Sequence, residues 1–275
     1  MADQFDFFGG IDFSGAREPL SNLWSAIGRE SGGKLQIIAI RPHAFRADLA
    51  GYVRGGWRGS DGGQGRILWG ADFPFGLPRE VSSAVGAGEA WAKITAWVAD
   101  RPAEEIRDAA GPAAKAARVT DFGGAMSPLD LRLYKQTVEG IRWLTELRDY
   151  EDLSMSIHPL EVQPHASTTL VEVYPSGAAS ELGLPRRRAP GRPGEAKARA
   201  AALRTFLDFA DPTTEALAVT LEDAWDATIA CLTAFLCRNH LDQPFSDARF
   251  DHERLRQEGW IYRPPESLVT AGSAR

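Results

Sequence analysis

Phe7-Phe8-Gly9-Gly10-Ile11-Asp12-Phe13 is apolar on both alternating faces and carries a single acid, close to its far end. A strand with one wet face alternates apolar and polar residues, whereas one apolar on both faces belongs in the middle of a sheet covered on each side. Ser14-Gly15 ends the run, so the stretch reads as a buried strand that delivers an aspartate to its exit. Two later runs repeat the design. Arg66-Ile67-Leu68-Trp69-Gly70-Ala71-Asp72 holds its one acid at the end, and Phe73-Pro74-Phe75-Gly76-Leu77-Pro78 must turn out of the sheet because proline cannot donate to a ladder. Thr168-Thr169-Leu170-Val171-Glu172-Val173-Tyr174 places Glu172 near its exit and is stopped by Pro175 and Gly177. Three strands each bring a carboxylate to the C-terminal edge, which in a parallel sheet is the edge where ligands bind. Taken alone, any one of these acids also fits a strand-end residue bonded to its turn.

Outward from these strands, residues 22–27 and 34–42 are β-rich and are separated by Arg29-Glu30-Ser31-Gly32-Gly33, a hairpin pattern. With the opening strand they predict an antiparallel meander. Gly28 to Lys34 has the spacing of a phosphate-binding P-loop, but Leu35 stands where Ser or Thr would hold Mg²⁺ and a strand follows, so the hairpin reading is preferred. Residues 46–54 read as a short helix and 55–65 as a Gly-rich loop. Residues 79–165 read as a mostly helical insertion, with helices at 88–100, 103–110 and 129–148. Further helices are expected at 195–209 and 221–238. The organisation expected is one domain over residues 1–267 with a flexible tail at 268–275.

The last of these helices supplies a fourth acid. Leu221, Trp225, Ile229, Leu232 and Leu236 form a core stripe, and Ala227, Ala230, Cys231 and Ala234 make the other side small and apolar. Between Ala224 and Cys237 the one carboxylate is Asp226, which in such a helix requires a partner, and a cation facing the strand ends would provide it. Asp223 lies three residues earlier, where Thr220-Leu221-Glu222-Asp223 also fits a capping pattern, so capping and metal binding both stay open for it. Asp12, Asp72, Glu172 and Asp226 are the candidate catalytic residues, and Asp12, Asp72, Asp223 and Asp226 the candidate metal ligands. Carboxylates without His or Cys partners suit Mg²⁺ or Mn²⁺ rather than zinc. Two such ions about 4 Å apart activate water and stabilise a leaving oxygen at a phosphodiester.

Composition bounds the rest. At 275 residues the chain can bury a large core, and no apolar run approaches the ~18 residues of a membrane span. The acidic start, Met1-Ala2-Asp3-Gln4-Phe5-Asp6, lacks the features of a signal peptide, so a cytoplasmic location without membrane partners is expected. Cys231 and Cys237 are separated by six residues, about 240° apart on a helix, and read as packing residues. The formal net charge of −6 repels nucleic acid unless metal ions or a local basic patch intervene. Arg187, in the Pro/Arg-rich loop after the third acid-bearing strand, is a candidate phosphate contact together with Arg118, Lys135 and Lys197; a solvated loop is the plainer reading. Trp57, Trp91 and Trp97 stack bases or pack locally. The five histidines show no zinc spacing, and no Gly-x-Ser-x-Gly elbow occurs.

Gly10-Ile11-Asp12-Phe13-Ser14-Gly15-Ala16, Ala71-Asp72-Phe73-Pro74-Phe75-Gly76-Leu77-Pro78, Glu172-Val173-Tyr174-Pro175-Ser176, Asp223-Ala224-Trp225-Asp226-Ala227 and Glu258-Gly259-Trp260-Ile261-Tyr262 together resemble, in order, the signatures of domain-of-unknown-function family 429. The resemblance spans roughly residues 7 to 264. It implies an α/β fold of ribonuclease-H-like type, a mixed five-stranded sheet with flanking helices, and the activity of a predicted metal-dependent nuclease acting on nucleic acid or a nucleotide. Asp12 resembles that family's first-strand aspartate, Asp72 its fourth-strand acid, Glu172 its fifth-strand acid, and Asp223 or Asp226 its final-helix acid. Two other functions fit the residues: a nucleotide-binding relative of actin-like ATPases and sugar kinases, although only one copy of the core occurs, or a non-catalytic binding module.

Overall fold

The opening run forms β1, Phe7–Asp12, near the middle of a mixed sheet that has eight strands among the described residues. The computed structural model of the chain describes residues 5–16, 22–55, 57, 65–121, 124–185, 194–246 and 250–272. The other strands are β2 (Trp24–Ser31), β3 (Lys34–Pro42), β4 (Ile67–Asp72), β5 (Met155–His158), β6 (Thr168–Val173), β7 (Leu207–Phe209) and β8 (Ile261–Tyr262). Their order is β5-β6-β4-β1-β2-β3-β7, with β8 paired to β6 beyond the end of β5. β1–β2 and β2–β3 are antiparallel, as the meander predicts, and every other pairing is parallel. Gly32 and Gly33, at φ 60° and 81°, make the two-residue turn between β2 and β3, which confirms the hairpin in place of a P-loop.

The helices are α1 (Arg46–Arg54), α2 (Arg79–Ala84), α3 (Trp91–Ala99), α4 (Ala103–Ala110), α5 (Tyr134–Arg148), α6 (Pro175–Glu181), α7 (Glu195–Leu203), α8 (Pro212–Thr220), α9 (Glu222–Cys237), α10 (Gln243–Ser246), α11 (His252–Glu258) and α12 (Glu266–Gly272), with a 3₁₀ turn at Gly111–Lys115. One sheet face, carrying Phe8, Leu68, Val171 and Val173, is covered by α6, α7, α8 and α9. The other, carrying Ile11, Trp69, Ala71 and Leu170, is covered by α1, α3 and α5. The far sides of α3 and α5 join α2 and α4 in a third cluster around Val81, Ile94, Ile106 and Ile141. None of the described helices is long and apolar enough to cross a membrane.

α9 sets the geometry of the site. It lies across β1, β2 and β4 with its small residues down, and β1 and β4 meet it with paired glycines. A Cβ on Gly10 would stand 2.0 Å from the Ala227 carbonyl oxygen and one on Gly70 2.6 Å from that of Ala230, so helix and sheet approach more closely than any side chain permits.

The sheet departs from the five strands expected. β5 falls inside the segment read as helical, and residues 207–209, read as the end of a helix, instead form β7 against the edge of β3, with Leu35 opposite Leu207. α7 stops at Leu203 because the ladder partner on β3 and burial of Leu207 outweigh the helical pattern. Part of the expected tail is also ordered, since α12 runs to Gly272.

Candidate functional site

Asp12 ends β1 and Asp72 ends β4, and the two are direct Cα partners in a parallel ladder. Side chains alternate along a strand, so both lie on the face of Phe8 and Leu68, beneath α9. The direction of α9 follows from its contacts. Phe235 rings stack edge-on with Phe8 at 5.0 Å, the Cys231 thiol meets the Phe8 carbonyl, and Ala227 sits over Gly10. Moving back along α9 therefore moves forward along β1, which brings the first turn, with Asp223 and Asp226, to the level of Asp12 and Asp72. Asp226 is buried, at 7% exposure. The N-cap of α9 is Leu221, which has no side-chain cap hydrogen bond, and the Thr220 hydroxyl donates to the Ala216 carbonyl at the end of α8.

Glu172 is placed differently from the other three acids of the expected quartet. Its Cα partner on β4 is Ala71, one step short of Asp72, and the pleat turns it to the opposite face. There it is buried and accepts two N–H groups from Arg118, at 2.7 and 2.5 Å, and the Phe75 amide at 2.9 Å. Burial pushes the Glu172 carboxyl above the usual range, against the pull of Arg118.

Arg118, expected as a phosphate contact, has its donors directed at protein acceptors. A guanidinium has five N–H donors. Here two meet Glu172, two meet Asp121 at 3.0 and 2.8 Å, and one meets the Glu258 carbonyl at 3.1 Å. Burial lowers the Arg118 pKa, but Glu172 and Asp121 outweigh it and hold it above the ordinary value. Lys135, on the first turn of α5, is exposed and pairs with Glu104 at 3.0 Å. Lys197 is exposed on α7, which packs against α8. Arg187 lies outside the described residues. Trp57 packs on Phe7 and Tyr52, and Trp91 is buried with its ring N–H on the Phe75 carbonyl, so both serve packing.

Three features are absent from the sequence reading. Gln136 on α5 donates its amide to the Asp72 carbonyl at 2.6 Å. Gly15 rests on the same helical turn, where a Cβ would stand 2.2 Å from the Gln136 nitrogen, so the exits of both acid-bearing strands are held by α5. Beside Asp72, between the ends of β4 and β6, Asp121, Ala125, Met126 and the start of α5, opens a cleft of about 140 Å³. No local pattern announces it, because its walls come from five separate segments.

Oxygen donors on one face, at strand ends, match Mg²⁺ or Mn²⁺ in ligand type. Among the described residues, however, no three His, Cys, Asp or Glu side chains are grouped as a metal-holding set. Asp12, Asp72 and Asp226 agree in face and level, and side-chain rotation would have to gather them.

A family model described as Protein of unknown function (DUF429) matches residues 35–247. Asp72, Glu172, Asp223 and Asp226 fall within that span; Asp12 and the 258–262 motif fall outside it. No curated protein and no solved structure matches the chain.

Proposed function

The chain belongs to the DUF429 family of proteins of unknown function, and from that starting point we propose that it is a metal-dependent hydrolase of phosphodiester bonds in nucleic acid, working at the shared exit of β1 and β4. The observation that carries this reading is the register of Asp12 with Asp72, side by side on one face beneath the first turn of α9. A strand order in which an antiparallel β3-β2-β1 meander continues into parallel β4 and β6 supports placing the core among ribonuclease-H-like folds. Asp12 and Asp72 are the primary ligands, Asp226 reaches in from α9, and Asp223 is the alternate on the same turn. Bound Mg²⁺ or Mn²⁺ would supply positive charge at this acidic edge and would lower the pKa of the attacking water. Gln136 and Gly15 fix the strand exits so that the carboxylates do not drift apart. Glu172 acts at a distance, holding the turn after β4 through the Phe75 amide.

One observation favours a second, non-catalytic reading: the positive end of the α9 dipole faces Asp12 and Asp72 and offsets part of their charge without any ion. Calorimetric titration of Mn²⁺ and Mg²⁺ decides between them. The reaction reading expects binding that weakens at least about tenfold in Asp12→Asn, and cleavage of single-stranded or duplex DNA or RNA that the same change abolishes. Ion binding equal in both proteins, or none in either, would rule out this site.

A further inference from the structure

The cleft beside Asp72 is not required by the acids above and has its own chemistry. Its walls are largely apolar, formed by Phe73, Met126, Leu133, Val173, Tyr174 and Ile261. At about 140 Å³ it is smaller than the roughly 300–1,000 Å³ of sites for drug-sized ligands, so it admits one ring-sized group. The positive charge at its base is unavailable. Every N–H of Arg118 is already directed at Glu172, Asp121 or the Glu258 carbonyl, and two carboxylates oppose one guanidinium. With two carboxylates against one guanidinium at its base, the cleft disfavours phosphate and carboxylate groups. The Gln136 amide on its wall retains hydrogen-bonding capacity. The Gln136 amide uses a single N–H on the Asp72 carbonyl, which leaves a second N–H and Oε1, a donor and acceptor side by side.

We propose that this cleft takes one uncharged nucleobase of the substrate, laid against Tyr174 and the apolar walls and bonded along an edge by the Gln136 amide. A base has the flat apolar faces and the adjoining donor and acceptor that these walls and this amide complement. The position follows too: the cleft adjoins Asp72, so a base seated in it places its own backbone phosphate toward the β1 and β4 exits. The inference rests on the phosphodiester reading for its substrate, and the cleft can be tested without any reaction.

Ligand-observed nuclear magnetic resonance with adenosine, guanosine, cytidine and uridine, which carry no phosphate, on the full chain is the direct experiment. At least one nucleoside should bind, inorganic phosphate should not compete, and Gln136→Ala and Ala125→Trp should each weaken binding about tenfold or more. Thermal melts of both variants show whether they remain folded, and Ala125→Trp fills the cleft from a partly exposed position if Gln136→Ala perturbs α5. Asp12→Asn should bind the nucleoside as the wild type does. The proposal is overturned if no nucleoside binds, if phosphate competes, or if both folded variants bind as well as the wild type. Failure of the reaction reading has a separate signature, absent ion binding with nucleoside binding intact, and that result still supports the cleft.

Discussion

At the scale of single residues, the most consequential charge is Arg118, because the carboxylates around it cannot tolerate its loss. Replacing it with Met leaves Glu172 and Asp121 facing each other, with side chains exposed by only 3% and 1%. Removing one partner of a buried pair costs about 3–5 kcal/mol, so Arg118→Met should lower the urea unfolding free energy by that amount. The double change Arg118→Met with Glu172→Met should recover part of it, since the orphaned charge goes too. A single-variant loss below about 1 kcal/mol would mean that water reaches the pair. His43 is a second buried group with a defined pH signature. Its Nε2 lies 2.8 Å from the Ser25 hydroxyl, and burial, then Arg41, hold its pKa down to about 4 although Asp48 pulls it up. The folded value is below the unfolded one near 6.5, so the unfolded state takes the proton first. Stability from this source is complete above about pH 6.5 and declines as pH falls toward about 4. Urea midpoints between about pH 7 and about pH 4.5 should show that slope, and His43→Gln should lose this part of it.

At the scale of elements, the seating of α9 on β1 and β4 makes opposite forecasts for two glycines. Gly10→Ala would set a methyl 2.2 Å from the Cys231 backbone nitrogen, so α9 must lift, at about 1–3 kcal/mol, and the Asp226 turn must move with it. Gly51, exposed within α1, has open space around its Cβ direction, and Gly51→Ala should stabilise by about 0.5–1 kcal/mol. Thermal melts of the two variants together check the forecast; equal effects would refute close seating of α9. The same elements explain what could be read beforehand. β1, β4 and β6 are apolar runs stopped by glycine or proline, and α9 has a two-sided apolar pattern, so all four were legible. β5, β7 and β8 are edge strands of four, three and two residues, too short for any period to stand out, and they exist because a neighbouring ladder was open. The aspartates were legible as strand ends, but the face of Glu172 was not. It depends on a register offset of one residue between β4 and β6, which packing sets. Its partner Arg118 is 54 residues away in the chain.

At the scale of the whole molecule, the segments outside the family span close the structure around the site. β1 and β2 precede residue 35, and between them they join β4 to β3; without them the sheet is two separate pieces and α9 has no Gly10 to rest on. Beyond residue 247, Glu258 is fully buried and accepts the Arg79 and Val119 amides and the Arg254 side chain, while the Tyr262 hydroxyl donates to the Leu241 carbonyl. Glu258 thus ties α2, the segment between the 3₁₀ turn and α5, and α11 to one carboxylate, next to the Arg118 cluster. A chain trimmed to residues 35–247 should therefore show no cooperative urea transition, whereas the full chain unfolds in one with a slope that matches its buried area. If the trimmed chain does unfold cooperatively and still binds Mn²⁺, Asp12 is dispensable, the ligands are Asp72 and the α9 acids alone, and the register of β1 with β4 loses the weight placed on it. If it does not fold, the central strand and the closing segment are parts of the same domain as the matched span, and the site is assembled from both sides of its boundary.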